Sequence, residues 1–290
     1  MRFYYHIITL LLFLAAPLPF LNAQISSSND SLTFEKEEIG ADSIYKEQGT
    51  VPYRLNLDYI KSFWPSLKYT VSRPAHWDKK DITRLSLFAA GAGTLLLSDW
   101  EIRNAMLHNR NKFNEKVAGA VEPFGNTYGV YIFPAMYLAG VAFKSPKLES
   151  TGLVGAKSLA ISTIIYTASK KLIRRNRPDA ATSSWDYAPP FTKAGYTSSP
   201  SGHSNTIFTV ATVLALEFRE TKWVPPLVYS IATATAVSRL YHNRHWSSDI
   251  FLGSLMGHYV TKAVWNASQP KYKRKNKSLT GLRRSFNRHS

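Results

Sequence analysis

The chain contains no cysteine among its 290 residues. A disulfide scaffold, a thiolate nucleophile and any cysteine-ligated metal are therefore excluded. Acidic residues are scarce: 19 Asp and Glu stand against 36 Lys and Arg, for a formal net charge of +17. They form no cluster of the kind that holds Mg²⁺ or Ca²⁺. Long uncharged apolar runs are also few. Spanning a bilayer takes about 20 mostly apolar residues, and of the apolar segments after residue 81 only 126–143 runs 18 residues without a charge. Lys157 and Lys262 interrupt two other apolar segments, and His258 sits inside the last. Strand signals are sparse and no internal repeat is visible.

What is present begins with the N-terminus. Arg2 precedes an apolar run from Ile7 to Leu21, and Leu21-Asn22-Ala23 has the small-residue character of a cleavage site. Residues 1–23 read as a secretory signal peptide, with an uncleaved anchor as the alternative. Either way the expected location is the cell envelope. Residues 24–80 read as an extension. Its first part is flexible and acidic, and residues 51–80 pack on the main domain or at a membrane interface through Trp64 and Trp77. Residues 269–290 form a basic tail with no acidic residue. The tail suits either the inner side of a membrane or a solvated end. Its charge would also permit nucleic acid, but no reading motif accompanies it, so no nucleic acid is expected.

Between these ends, residues 81–268 carry helical periodicity. Apolar segments lie at about 83–98, 126–143, 152–169, 204–217, 223–238 and 249–266. The expected fold is all-α, a bundle of about six helices. If the segments cross a membrane, 126–143 and 152–169 go in and out again, and the ends that bear chemistry face outward.

Three clusters carry that chemistry. In the first, Lys170 and Arg177 stand seven residues apart before Pro178. Two helical turns would point both to one side, and the proline would stop the helix there. In the second, Pro200-Ser201-Gly202-His203 opens a helix, where backbone N–H groups can cradle a phosphate. Ser201 can donate a hydroxyl and His203 a proton. In the third, Ser238-Arg239 is followed by His245 and Asp249, four residues apart. A carboxylate on one imidazole nitrogen would fix the tautomer and leave the other free to attack. Each cluster taken singly also has an ordinary structural reading: a basic helix end, an N-cap, a His–Asp pair. Together they supply three cations, backbone donors, a proton donor and a nucleophile, which is the inventory of phosphoryl transfer.

The combined pattern is Lys-x6-Arg-Pro, then Pro-Ser-Gly-His, then Ser-Arg-x5-His-x3-Asp, with all eleven positions in order. It resembles the type 2 phosphatidic acid phosphatase (PAP2) superfamily, which also includes vanadium haloperoxidases. The resemblance covers about residues 81–268. It implies a helical bundle with the site at one end and a phosphatase that needs no metal and no cofactor. His245 would be the nucleophile that forms a phosphohistidine, Asp249 its orienting acid, and His203 the general acid and then base. Lys170, Arg177, Ser201, Gly202, Arg239 and Ser238 would hold the phosphoryl oxygens. The expected partner is a phosphorylated lipid or a small phosphate ester. Candidate lipids are phosphatidic acid, phosphatidylglycerol phosphate, a polyprenyl diphosphate and lipid A. Two placements stay open: inner membrane with the site facing the periplasm, or a soluble periplasmic acid phosphatase of broad range. Vanadate-dependent haloperoxidase chemistry is a more distant alternative. The stretch Leu240–Arg244 is more polar than the family pattern leads one to expect. His242 and Arg244 either reach a substrate head group or face solvent.

Overall fold

The structure is a computed structural model, and it describes residues 54–192 and 195–269. The signal peptide, the acidic leader and nearly all of the basic tail expected from the sequence lie outside the described residues. Among those described, nine α-helices form in chain order: α1 (Leu57–Lys61), α2 (Phe63–Ser72), α3 (Lys79–His108), α4 (Lys112–Val121), α5 (Thr127–Ala142), α6 (Pro146–Ile173), α7 (Gly202–Glu217), α8 (Val224–Tyr241) and α9 (Ser247–Ser268). Single 3₁₀ turns at Arg73–His76 and Glu122–Gly125 join α2 to α3 and α4 to α5. The six expected segments correspond to α3 and α5–α9. The short helices α1, α2 and α4 are additional.

Helix starts follow local chemistry. Asp78 accepts from the Asp81 N–H at 2.8 Å and opens α3 in a capping box. Asn111 opens α4 and Ser145 opens α6 by the same kind of side-chain cap, with Pro146 at the first turn of α6. Asn126, at the start of α5, provides no such bond.

Helix α7 lies at the centre, packed against α6, α8 and α9. Nearly its whole length is buried, including Ile207, Val210, Ala211 and Val213. It also buries a polar stripe of Asn205, Thr209 and Thr212, and these side chains are hydrogen-bonded: Asn205 Oδ1 accepts from Ser162 Oγ at 2.8 Å, and Thr212 Oγ1 donates to the Phe208 carbonyl at 2.7 Å. Phe133 of α5, Ala232 and Ala236 of α8 and Ile250 of α9 complete this core. Two glycines of α9 decide how closely it meets α7. A Cβ at Gly253 would lie 2.4 Å from the Ser201 carbonyl oxygen, and one at Gly257 would lie 2.4 Å from that of Asn205. Only glycine permits this approach, which seats the start of α9 against the start of α7.

The extension is anchored by polar contacts. Tyr59 donates to the Leu153 carbonyl at 2.8 Å, and Lys157 donates to Ser62 Oγ at 2.6 Å beneath the Tyr59 ring. Burial lowers the Lys157 pKa to about 8. The lysine that interrupts an apolar segment in the sequence is thus a clasp for α1. Trp64 stays exposed.

No helix among the described residues is long and apolar enough to cross a membrane. Helix α5 has 16 residues and carries Pro134 inside it. At ~1.5 Å per residue it falls short of a ~30 Å hydrocarbon layer.

Candidate active site

The three clusters meet where the starts of α7 and α9 approach the ends of α6 and α8. Helix α6 ends earlier than the sequence suggests. Arg174 caps it in the left-handed region at φ 48°, so the helix stops at Ile173, not at Pro178. Lys170 therefore sits in the last helical turn, while Arg177 belongs to the segment beyond it. The two-turn geometry expected for this pair is corrected, but their convergence is not lost. Both cations act on His245 and on His203.

His245 lies in the turn between α8 and α9 and is buried. Its Nδ1 is 2.8 Å from the Ser198 carbonyl oxygen. A carbonyl can only accept, so Nδ1 carries the hydrogen and Nε2 holds the lone pair. Burial, followed by the charges of Lys170, Arg177 and Arg239, holds the imidazole well below its ordinary pKa. It is therefore neutral, the form that a nucleophile requires.

Asp249 has a different place from the one expected. It does not touch the imidazole. Its carboxylate caps α9 by accepting from the Trp246 N–H at 3.1 Å, and it accepts from Ser198 Oγ at 2.5 Å and Arg175 Nη1 at 2.9 Å. Ser198 is the link between them: its hydroxyl is held by Asp249 and its carbonyl holds His245. Asp249 is the third residue of α9 while His245 precedes the helix, so the one-turn relation does not exist.

Behind this pair lies a buried ionic cluster. Arg175 donates to Asp99 Oδ2 at 2.8 Å, to Asp249, to Ser248 Oγ at 2.7 Å and to the Ser184 carbonyl. Asp99, near the middle of α3, also accepts from Ser247, from Ser248 Oγ and from the Ser248 N–H at 3.0 Å. All three charged side chains are essentially inaccessible. Desolvation alone would lower the Arg175 pKa, but Asp249 and Asp99 raise it overall. The cluster fixes the first turn of α9 to α3 and to the chain after α6.

His203 stands at the start of α7. Ser201 caps that helix, accepting from the Ser204 N–H at 3.4 Å and from Ser204 Oγ at 3.0 Å, so its own hydrogen stays available to an oxyanion. The Ser201 N–H is committed to the Asp249 carbonyl at 3.0 Å. Gly202 follows as the first helical residue, and a Cβ there would press on the Tyr166 ring at 3.3 Å. His203 Nε2 is buried and has no hydrogen-bond partner. Burial and the Arg239 charge lower the His203 pKa to about 4, against a raising effect from Glu122.

The cations are crowded. Burial and Arg177 lower the Lys170 pKa to about 8, with Asp249 opposing, and its ammonium donates to the Thr197 carbonyl at 2.5 Å. Arg239, on α8, pairs with Glu122, while its Nε is buried without a partner. Ser238 is corrected. Its hydroxyl donates to the Thr235 carbonyl at 2.7 Å and is spent on its own helix. Unpartnered donors beside crowded positive charges describe a place prepared for an anion.

Glu122 was not visible as a site residue in the sequence. One carboxylate oxygen pairs with Arg239 and lies 3.9 Å from His203 Nε2, and the other is 3.3 Å from His242 Nδ1. His242 therefore faces a carboxylate, and Arg244 pairs with Asp179 at 2.9 Å. Both line an open pocket of about 370 Å³ together with Arg110, Glu115, Glu122 and Arg239.

Comparison with known proteins finds similarity in sequence and in fold. Residues 153–273 match the model of the PAP2 superfamily. Over 205 residues, 69% of this chain, the sequence is 32% identical to a lipid A 1-phosphatase of Porphyromonas gingivalis. The aligned stretch spans 41% of that protein. The fold resembles a crystal structure of a transmembrane PAP2-type phosphatidylglycerolphosphate phosphatase from Bacillus subtilis, at TM-score 0.50 and 19% identity. That match covers 72% of this chain and 98% of the other. Aquifex aeolicus LpxE aligns more loosely, at TM-score 0.46 and 20% identity over 58% of this chain and 94% of that one.

Proposed function

We propose that this chain, whose residues 153–273 belong to the PAP2 superfamily, is a phosphatase that hydrolyses a phosphomonoester of a membrane lipid. One observation carries the chemistry: both imidazoles, His245 and His203, lie within the field of the same three cations, Lys170, Arg177 and Arg239. The phosphoryl group would occupy the space among them. His245 Nε2 attacks phosphorus as the ester bond breaks, and His203 gives its proton to the departing oxygen. The nitrogen–phosphorus bond of the phosphohistidine is then cleaved by water, whose proton His203 takes back. Arg239 and Arg177 stabilise the equatorial oxygens, and Lys170 does so as a point charge. After burial, the cations depress the His203 pKa most, and an arriving phosphate dianion opposes that part of the shift and so favours the protonated form.

A lipid substrate is supported by the relative's substrate, lipid A, and by apolar side chains left in solvent. Trp64, Leu97, Leu138 and Phe143 are all exposed. Such a surface suits contact with lipid at the envelope.

The test is a panel of phospholipids, lipid A and soluble phosphate esters, assayed for phosphate release with the intact protein and His245→Ala. Release is expected from lipid substrates and absent in the variant, and a ³²P-labelled acid-labile adduct forms only on the intact protein. Undiminished release by His245→Ala would refute the nucleophile. Equal rates on every soluble ester, with none on lipids, would refute the lipid preference.

A further inference from the structure

Glu122 stands where a phosphoryl oxygen would stand. In the phosphatase mechanism one oxygen of the substrate bonds Arg239, and the leaving oxygen lies beside His203 Nε2. In the free protein a single carboxylate oxygen meets both groups. Oε1 of Glu122 accepts from Arg239 Nη1 and lies 3.9 Å from His203 Nε2. A carboxylate and a phosphate offer a guanidinium the same kind of acceptor. An arriving phosphate must therefore displace the carboxylate, and until then the two negative charges repel. Glu122 also satisfies only part of the guanidinium, because Arg239 Nε stays buried without a partner.

The backbone delivers this carboxylate, while the side chain keeps room to leave. Glu122 opens the 3₁₀ turn Glu122–Gly125. Thr235 Oγ1, on α8, donates to the Val121 carbonyl just before that turn at 3.1 Å. A Cβ at Gly125 would lie 3.0 Å from both His203 Cβ and Thr235 Cγ2, so the end of the turn is seated on α7 and α8. The side chains differ in freedom: that of Arg239 is 7% exposed and that of Glu122 is 37% exposed. The cation is held and the anion is the partner that can move. A second place for it already exists. Its Oε2 is 3.3 Å from His242 Nδ1, and His242 lines the open pocket beside Arg239.

We infer that Glu122 is an intramolecular competitor of phosphate at Arg239: it holds the cation in the free protein, moves to His242 when a phosphoryl group arrives, and returns to expel the phosphate product. The inference rests on the phosphatase reading for the identity of the arriving anion. It makes Glu122 and His242 positioning residues that set how tightly phosphate is held.

Inorganic phosphate, titrated into the intact protein by calorimetry at pH 7, ~the midpoint of the usual stability range, tests this without turnover. Glu122→Gln removes the charge, and Glu122→Ala removes the acceptor as well. Both are expected to bind phosphate about tenfold tighter or more, the scale on which a neighbouring charge shifts an ionic equilibrium. Burial lowers the His242 pKa, so His242→Phe takes away the second place without taking away a cation. It should weaken phosphate binding about three- to tenfold, the net worth of one hydrogen bond, and have no effect in the Glu122→Gln background. A Glu122 that merely held Arg239 in position would give the opposite sign, with weaker binding in Glu122→Ala. Weaker or unchanged binding in both Glu122 variants overturns the inference, as does an equal His242→Phe loss in both backgrounds. Failure of the phosphatase reading would show separately, as absence of turnover on any ester while phosphate binding still tightens in the Glu122 variants.

Discussion

Replacing Asp99 with Asn tests whether the buried ionic cluster holds the active site together. The cluster contains Arg175 at +1 and Asp99 and Asp249 at −1 each, so it carries a net charge of +1 − 2 = −1. Asparagine keeps the shape and one acceptor oxygen, which can still receive the Ser248 N–H and Ser247 hydroxyl. Its NH₂ then faces Arg175 Nη2, donor against donor. Ser248 Oγ can rotate to accept, and Nη2 keeps its bond to the Ser184 carbonyl at 2.6 Å. The loss is thus one charge-assisted hydrogen bond and one apposed donor pair, partly offset because the cluster becomes neutral. Such a bond contributes about 1.5–3 kcal/mol, so Asp99→Asn should destabilise by about 2–3 kcal/mol. Asp99→Ala removes both Asp99 oxygens from the buried Arg175, which keeps Asp249 and the Ser184 carbonyl, and leaves Ser247 and the Ser248 N–H without their acceptor; it should cost about 3–5 kcal/mol. Trp246, stacked on Trp100 at 6.0 Å and covered by Arg175 at 5.0 Å, contributes with the chain's six other tryptophans to an intrinsic fluorescence that reports unfolding. Urea unfolding followed by this signal measures both variants. Values within about 0.5 kcal/mol of the parent, typical of surface changes, would refute the claim that the cluster organises the first turn of α9.

The remaining predictions concern the cradle. Arg239→Lys keeps the charge but loses the planar fork, so kcat/KM should fall by about tenfold or more while the circular dichroism is unchanged; parental rates would show that the fork is not used. Glu122→Gln removes the one negative group that raises the proton affinity of His203 against the lowering effects of burial, Arg239, Arg177 and Lys170. The general acid must be protonated, so activity declines as pH rises past its pKa. Lowering that pKa should move the descending alkaline limb of the pH–rate profile to lower pH. A limb that stays in place or moves upward would exclude Glu122 from this role.

Much of the architecture was legible from periodicity, because α3 and α5–α9 are long enough to show it. Helices α1, α2 and α4 are short, and α1 owes its place to Tyr59 and Lys157 meeting across distant sequence. The site residues His203, His245, Arg239, Lys170 and Arg177 could be named because their types and order carry the chemistry. Their supports could not. Arg174, Arg175 and Arg177 look alike in the chain, yet Arg175 is the one sealed between two aspartates. Asp99 follows an apolar run and has all its partners more than seventy residues away. The spacing of His245 and Asp249 suggested direct contact, but the helix begins after His245, so the carboxylate went to the helix cap. Glu122 became visible only when its 3₁₀ turn was seen beside Arg239.

The Ser198 carbonyl has a consequence for how this protein can vary over generations. The setting of the reactive ring is entrusted to a peptide group, which every amino acid brings with it, whereas a side chain can be lost in one codon change. Drift at position 198 can trim the hydroxyl that meets Asp249 and still leave the oxygen that holds His245. The hydrogen bond that sets His245 in the candidate site is therefore among the least exposed to genetic accident.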